Sequence, residues 1–216
     1  MKFIESALPK KTKMAFDKTK NIHGLTNFYL SGGTALSLQL GHRESEDLDF
    51  FTQQEFNPEL LQTKLATLGY LNNVEIEKNT LNLFLNEVKL QFLYYPYQLL
   101  QNPVLYQNIS ISSVLDVACT KLITISSRGS KKDFIDLFVI LQSFTLNFLF
   151  ESLDKKYKGI NYNHLHIIKS LVFFEDADIQ PMPRLHIDTN WEEIKKIITQ
   201  KVINYQSLCL SVKIRP

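Results

Sequence analysis

The chain has 216 residues, 44% of them hydrophobic and 12% aromatic, enough to fill the core of one large domain or two small ones. Its net charge of +2 is too mild to establish nucleic-acid binding by itself, although it leaves room for a local basic face. The two cysteines, Cys119 and Cys209, lack metal-like spacing and suit a reduced cytoplasmic setting.

Residues 1–22 read as a basic amphipathic helix whose lysines and Glu5 suit an exposed surface, without the uninterrupted apolar core of a signal peptide. A strand at 27–31, a helix at 34–41 and a strand at 47–52 follow. Asn57-Pro58 opens a helix running to about Leu68, with proline at an early position and Gly69 closing it. Strands are expected at 73–78, 80–85 and 88–95, the last two joined by the two-residue turn Asn86-Glu87. Residues 1–105 thus predict a mixed sheet with helices packed on it, an α+β (α/β) domain.

Beyond Pro103 the pattern turns helical, with helices near 113–127, 130–143, 145–158, 162–174 and 190–208. Ser113 with Asp116 and Asn190 with Glu193 have the spacing of capping boxes. Residues 106–216 are therefore expected to form a helical bundle that completes an active-site cleft with the sheet domain. The most apolar region, 134–150, is interrupted by Asp136, Gln142, Ser143, Thr145 and Asn147, too short and too polar to span a membrane. A soluble cytoplasmic protein with no membrane partner is expected.

The stretch 31–51 carries the chemistry. Gly32 and Gly33 stand between an apolar strand and a helix, where bare glycine backbone and a helix N-terminus can hold phosphate; such a turn also serves plain chain reversal. Asp47 and Asp49, at i and i+2, project to one face of their strand while Leu48 and Phe50 project to the other. Two carboxylates side by side repel unless a cation lies between them, and hard oxygen ligands point to Mg²⁺ or Mn²⁺ carrying phosphates. By themselves the aspartates could cap a turn or pair with Arg43; downstream of the glycine turn they read as a nucleotide and metal site.

Gly-Gly-Thr-Ala-Leu-x-Leu-x-x-Gly-His-Arg-x-Ser-x-Asp-Leu-Asp-Phe-Phe resembles the signature of the AbiEii/AbiGii-type nucleotidyltransferases, toxins of bacterial toxin–antitoxin and abortive-infection systems within the DNA polymerase β-like superfamily. A second block, Leu115 to Leu122 followed by Ser127-Arg-Gly-Ser-Lys-Lys-Asp-Phe-Ile-Asp-Leu137, is similar to the family's Lys-Leu helix and its Arg-Gly-x-x-Lys-Asp-x-x-Asp-Leu run. The resemblance implies a nucleotidyltransferase fold and NMP transfer from an NTP to an acceptor hydroxyl, with RNA, such as a tRNA 3′ end, as acceptor and a cognate antitoxin as partner. It also implies roles. Ser31, Gly32, Gly33, Thr34 and Arg43 would meet the nucleotide, Asp47 and Asp49 would hold Mg²⁺ (or Mn²⁺), and Lys121 would neutralise the triphosphate. Asp133 would be a general base or metal-site partner and Asp136 its orienting neighbour, with Arg128 and Lys132 facing anionic substrate. The residues alone also admit Lys121 as a snorkelling side chain, Asp133 as a capping partner of Ser130 and Asp136 as a partner of Lys132. His42 and Ser45 belong to the signature without an assigned role.

The chain departs from the superfamily pattern at one point. Where many members carry a third carboxylate on the neighbouring strand, the equivalent residue is Gln91, which binds cations more weakly and cannot act as a base. Either Asp133 supplies the missing carboxylate, or a second metal is bound loosely, or activity is lost. The alternative readings are a nucleotide- or RNA-binding module of the same fold with impaired catalysis, which Gln91 supports, and, independently of Gln91, a nucleotidyltransferase acting on a small molecule or protein.

Overall fold

Pro9 decides where the first helix begins. In this computed structural model, which describes residues 2–20, 22 and 25–213 with side chains through residue 208, Glu5–Ala7 form a single 3₁₀ turn. Helix α1 (Lys10–Thr19) starts after the proline, so the helix expected over 1–22 is shorter and broken at its start.

Unit 1, Met1–Val117, is built on one mixed sheet. Its strands are β1 (Tyr29–Ser31), β2 (Leu48–Thr52), β3 (Leu71–Glu77), β4 (Thr80–Leu85), β5 (Val88–Tyr94), β6 (Val104–Tyr106) and β7 (Ile109–Ile111), in the order β3-β4-β5-β2-β1-β7-β6. The β2–β5 and β1–β7 pairs are parallel and the others antiparallel. Two helices, α2 (Gly32–Leu40) and α3 (Pro58–Ala66), connect the strands. The Asn57 side chain caps α3 by accepting the Leu60 N–H at 2.7 Å, with Pro58 in the first turn. The β4–β5 hairpin turns on Asn86 and Glu87, both at positive φ (46° and 71°).

Strands β6 and β7 correct the expectation that the chain turns helical after Pro103. They form a hairpin through Gln107 and Asn108, again both at positive φ, and β7 extends the sheet beside β1. Sheet pairing therefore runs past residue 105, to Ile111.

Register sorts the two faces of this sheet sharply. Ile111, Leu30, Phe50, Phe92, Leu81 and Ile76 are successive cross-strand partners and make one apolar row over six strands. Phe50 and Phe92 stack with centroids 5.0 Å apart and are almost fully buried, each contributing about 1.5–3 kcal/mol by burial. One residue along, Ser31, Asp49, Gln91, Asn82 and Glu75 are likewise successive partners. This second row is polar from end to end and lies on the opposite face.

Unit 2, Ala118–Pro216, is helical; the division falls within α4 (Val114–Ser127). It continues with α5 (Lys131–Ser143), α6 (Leu146–Lys156), α7 (His164–Ser170), α8 (Glu175–Asp178) and α9 (Trp191–Lys213). Leu122, Phe134, Ile135, Leu137, Ile194 and Ile198 are its buried centre, with α5 packed on α9. Asn190 caps α9 by accepting the Glu193 N–H at 3.0 Å. The helix expected at 162–174 is the shorter α7, and the short α8 follows it. Among the described residues no single helix is long and apolar enough to cross a membrane.

Candidate active site

Gly32 has φ +64°, a value that disfavours any side chain, and α2 begins with it, so both glycines lie inside the helix's first turn. A Cβ on Gly32 would lie 2.3 Å from Asp49 Oδ2. The β1–β2 register, which pairs Ser31 with Asp49, therefore sets the Asp49 carboxylate directly over bare glycine backbone. A Cβ on Gly33 would lie 2.4 Å from Arg43 Nη2, so a guanidinium covers the second glycine. Arg43 is buried, and its Nη1 donates to the Glu44 carbonyl at 2.9 Å.

Thr34 ties this turn to the aspartate strand. Its hydroxyl donates to the Asp47 carbonyl, and its Oγ1 is hydrogen-bonded with Ser45 Oγ at 2.8 Å. Asp47 itself lies one residue before β2, where the sequence expectation put it at the strand's start. The Ser112 hydroxyl donates to Ser31 Oγ at 3.1 Å, and the Ser45 N–H donates to the Ala7 carbonyl at 3.0 Å. His42 is fully buried. Ser31, Gly32, Gly33, Thr34, Arg43, Asp47 and Asp49 thus converge on one turn of unit 1.

On the far side of Asp49 stands Gln91, whose Nε2 donates to Asn82 Oδ1 at 2.9 Å. Asn82 and Ser112 escaped the sequence reading, although the alternation in Thr80-Leu-Asn-Leu-Phe-Leu85 places Asn82 on the polar face. Along the same face from Asp49, Phe51 packs edge-on to Tyr29 (6.0 Å) and against Tyr95 (4.7 Å). Burial, with the nearby Tyr95 and Asp116, raises the Tyr29 phenol well above its usual pKa, so it stays protonated.

The second block gathers separately, within unit 2. Lys121 Nζ lies 2.7 Å from Asp133 Oδ1 and 2.6 Å from Asp136 Oδ2, and all three side chains are buried. Ser130 donates to Asp133 Oδ2 from its hydroxyl at 2.6 Å and from its backbone N–H at 3.3 Å, which opens α5 as the capping spacing implies. Burial alone would raise the Asp133 carboxyl, but the charge and hydrogen bond of Lys121, with the Ser130 hydroxyl, outweigh it and hold Asp133 below the ordinary carboxylate value. Arg128 reaches Asp133 Oδ2 with Nε at 3.7 Å while remaining largely exposed, and Lys132 is exposed. Among the described residues no three His, Cys, Asp or Glu side chains gather as a metal-binding group, so Asp47 and Asp49 would need oxygens from phosphate or water to complete an ion's shell.

A glycine turn opening a helix, paired in register with an aspartate strand of a mixed sheet, is the frame of the nucleotidyltransferase fold. Solved structures with a similar fold include the putative nucleotidyltransferase from H. pylori (TM-score 0.54, 18% identity, 93% of this chain and 98% of that one). Another is MenT4, the nucleotidyltransferase toxin Rv2826c from Mycobacterium tuberculosis H37Rv (TM-score 0.55, 13% identity, 89% and 80%). The family model for the nucleotidyl transferase AbiEii toxin of type IV TA systems matches residues 22–101, which include the glycine turn, both aspartates and Gln91. The protein aq_aa25 of Aquifex aeolicus (strain VF5) is 35% identical over 210 residues, 92% of this chain and 97% of that protein. The chain belongs to the AbiEii nucleotidyltransferase toxin family.

Proposed function

We propose that the protein transfers NMP from an NTP to an acceptor hydroxyl, with RNA, such as a tRNA 3′ end, as acceptor, and that it acts as a growth-arresting toxin restrained by a cognate antitoxin. The observation that carries this reading is the seating of the Asp49 carboxylate against the bare backbone of Gly32. A phosphate on the turn and a cation on the aspartate are then neighbours.

The first-turn N–H groups of α2, which have no acceptor within the helix, and the positive end of its dipole would meet the phosphates. Arg43 over Gly33 adds a planar fork for phosphate oxygens. Asp47 and Asp49 would hold Mg²⁺ or Mn²⁺, which when bound neutralises phosphoryl oxygens and makes an acceptor hydroxyl more acidic. Ser31 and Thr34 position this set, Thr34 through its bond to the Asp47 carbonyl. With the reactants held in line, positioning supplies much of the rate.

The buried cluster of Lys121, Asp133 and Asp136 acts as a unit that sets the α4–α5 corner and displays Arg128. The low pKa of Asp133 favours a fixed ion partner over a general base, because proton uptake near neutral pH needs a value near the working pH. The test is to incubate the protein with each labelled NTP, Mg²⁺ or Mn²⁺ and total RNA, comparing wild type with Asp49→Asn. Metal-dependent labelling of RNA that the substitution abolishes is the expected result. Equal labelling by both proteins removes Asp49 from the mechanism, and label on a protein or small molecule in place of RNA reassigns the acceptor.

A further inference from the structure

Within unit 2, at the C-terminal end of α4, lies a cavity of about 190 Å³ lined by Ser126, Ser127, His166, Ser170, Phe173 and Asp176, with Arg128 beside them. Its polar side chains are biased to one kind of partner. The hydroxyls of Ser126, Ser127 and Ser170 donate to the carbonyls of Ile123, Thr124 and His166 at 2.8, 2.9 and 2.9 Å, so their protons are spent and their oxygens remain as acceptors. His166 Nε2 is spent likewise, on the Ser126 carbonyl at 2.9 Å. Asp176 adds an exposed carboxylate, and the last carbonyls of α4 bring the negative end of a helix dipole to the same cavity. A ligand that fits must bring the protons.

Phe173 and Arg128 set its shape and charge. The Phe173 ring is 53% exposed, a bare face for a planar group. Arg128 reaches Asp133 Oδ2 with Nε at 3.7 Å yet leaves 71% of its side chain exposed, which fixes a cation at the cavity. An ammonium ion would bring protons, but its charge would meet Arg128. An amino-bearing base brings them uncharged, together with a phosphate for the guanidinium. We propose that this cavity takes one adenine or cytosine of single-stranded RNA, its ring on Phe173, its exocyclic amino group on Asp176 and the serine oxygens, and the adjoining phosphate on Arg128. The inference rests on RNA as the acceptor in nucleotidyl transfer, and it seats that acceptor on unit 2, whose sequence is net basic where that of unit 1 is net acidic.

The probes are labelled oligoadenylate, oligocytidylate and oligouridylate of equal length, bound to the purified full chain without NTP and followed by fluorescence anisotropy. The first two are expected to bind at least about tenfold more tightly than the third, the discrimination one well-made base contact gives. Phe173→Ala should weaken them about tenfold while Phe173→Tyr should not, and Asp176→Ala should erase most of the preference over oligouridylate. Arg128→Gln should reduce the slope of log affinity against log salt by about 0.7. Circular dichroism checks each fold. Oligouridylate bound as tightly as the others overturns the inference, as do affinities within twofold of wild type in both Phe173→Ala and Asp176→Ala. An equal loss of ATP or CTP binding in those variants also overturns it, by making the base the NTP's own. RNA labelling is read separately. Labelling abolished by Asp49→Asn, with oligonucleotide affinity unchanged in the cavity variants, removes the cavity and keeps the transfer reading; the base preference without any labelling of RNA keeps the cavity and removes RNA as the acceptor.

Discussion

Replacing Gly32 with alanine separates the cost of strain from the cost of misplacing a carboxylate. At φ +64° an L side chain costs about 1–2 kcal/mol. For a chain of this size that lowers Tm by about 2–8 °C. The new Cβ would also stand 2.3 Å from Asp49 Oδ2, so the carboxylate has to retreat by roughly 1 Å to reach ordinary van der Waals distance. A displacement of that size at a reacting centre costs on the order of 100-fold in rate, far more than a few degrees of Tm would suggest. The assay pairs thermal unfolding by circular dichroism with label transfer from NTP well below Tm. Gly159→Ala is the control for strain alone, because Gly159 also has a left-handed φ (+84°) and its Cβ would meet nothing within 4 Å. A Gly32→Ala protein that loses Tm as expected yet transfers label within twofold of wild type would refute the reasoning, since Asp49 would then not need its present seat.

The ion cluster yields two expectations for stability. Lys121→Met leaves Asp133 and Asp136 buried without the lysine and should cost about 3–5 kcal/mol in urea unfolding, whereas removing one carboxylate with Asp133→Asn on top returns the cluster to its native net charge and should recover part of the loss. Because the folded pKa of Asp133 is depressed, its contribution is fully present above the ordinary aspartate value near 3.9 and disappears as pH falls through the lower folded value. Asp133→Asn should therefore flatten the acid side of the stability curve in that window, measured as ΔG of unfolding against pH. Asp116 accepts the backbone N–H groups of Leu100 and Gln101 at 2.9 and 3.2 Å and the Ser113 hydroxyl at 2.7 Å. Asp116→Ala should speed amide hydrogen exchange at residues 100 and 101 and cost about 1–3 kcal/mol.

What was legible in the sequence was local. The Asn86-Glu87 hairpin and the caps at Asn57, Ser113, Ser130 and Asn190 each depend on residues within a few positions of one another and took shape as read, whereas the two glycines, expected ahead of the helix, open it, and Asp47, expected on the strand, lies one residue before it. The β6–β7 hairpin was not legible, because strands of three residues carry too little alternation to stand out and Gln107-Asn108 is not a strong turn signal. Helix α1 starts only at Lys10, because Pro9 sets the boundary that the lysine-rich pattern of residues 1–22 does not mark. The Lys121 cluster joins side chains on two helices, and no periodicity in α4 alone distinguishes an ion-paired lysine from one that snorkels. The polar row was hidden for the same kind of reason, since Asp49, Gln91 and Asn82 become neighbours only once the parallel β2–β5 register is set.

The two rows of the sheet also limit how this chain can change length. Asp49 belongs to the polar row and Phe50, the next residue, to the apolar one, so sliding β2 by a single position against β1 would turn the aspartate into the core and the phenylalanine outward. Connection 41–47 between α2 and β2 sets that position, and it is anchored at Ser45 and at the Asp47 carbonyl. Loops commonly absorb insertions at little cost, but here one added or deleted residue would invert the site instead of lengthening a turn. The connection therefore works as a spacer of fixed length, and alignment of the site is a property of residue count as much as of residue type.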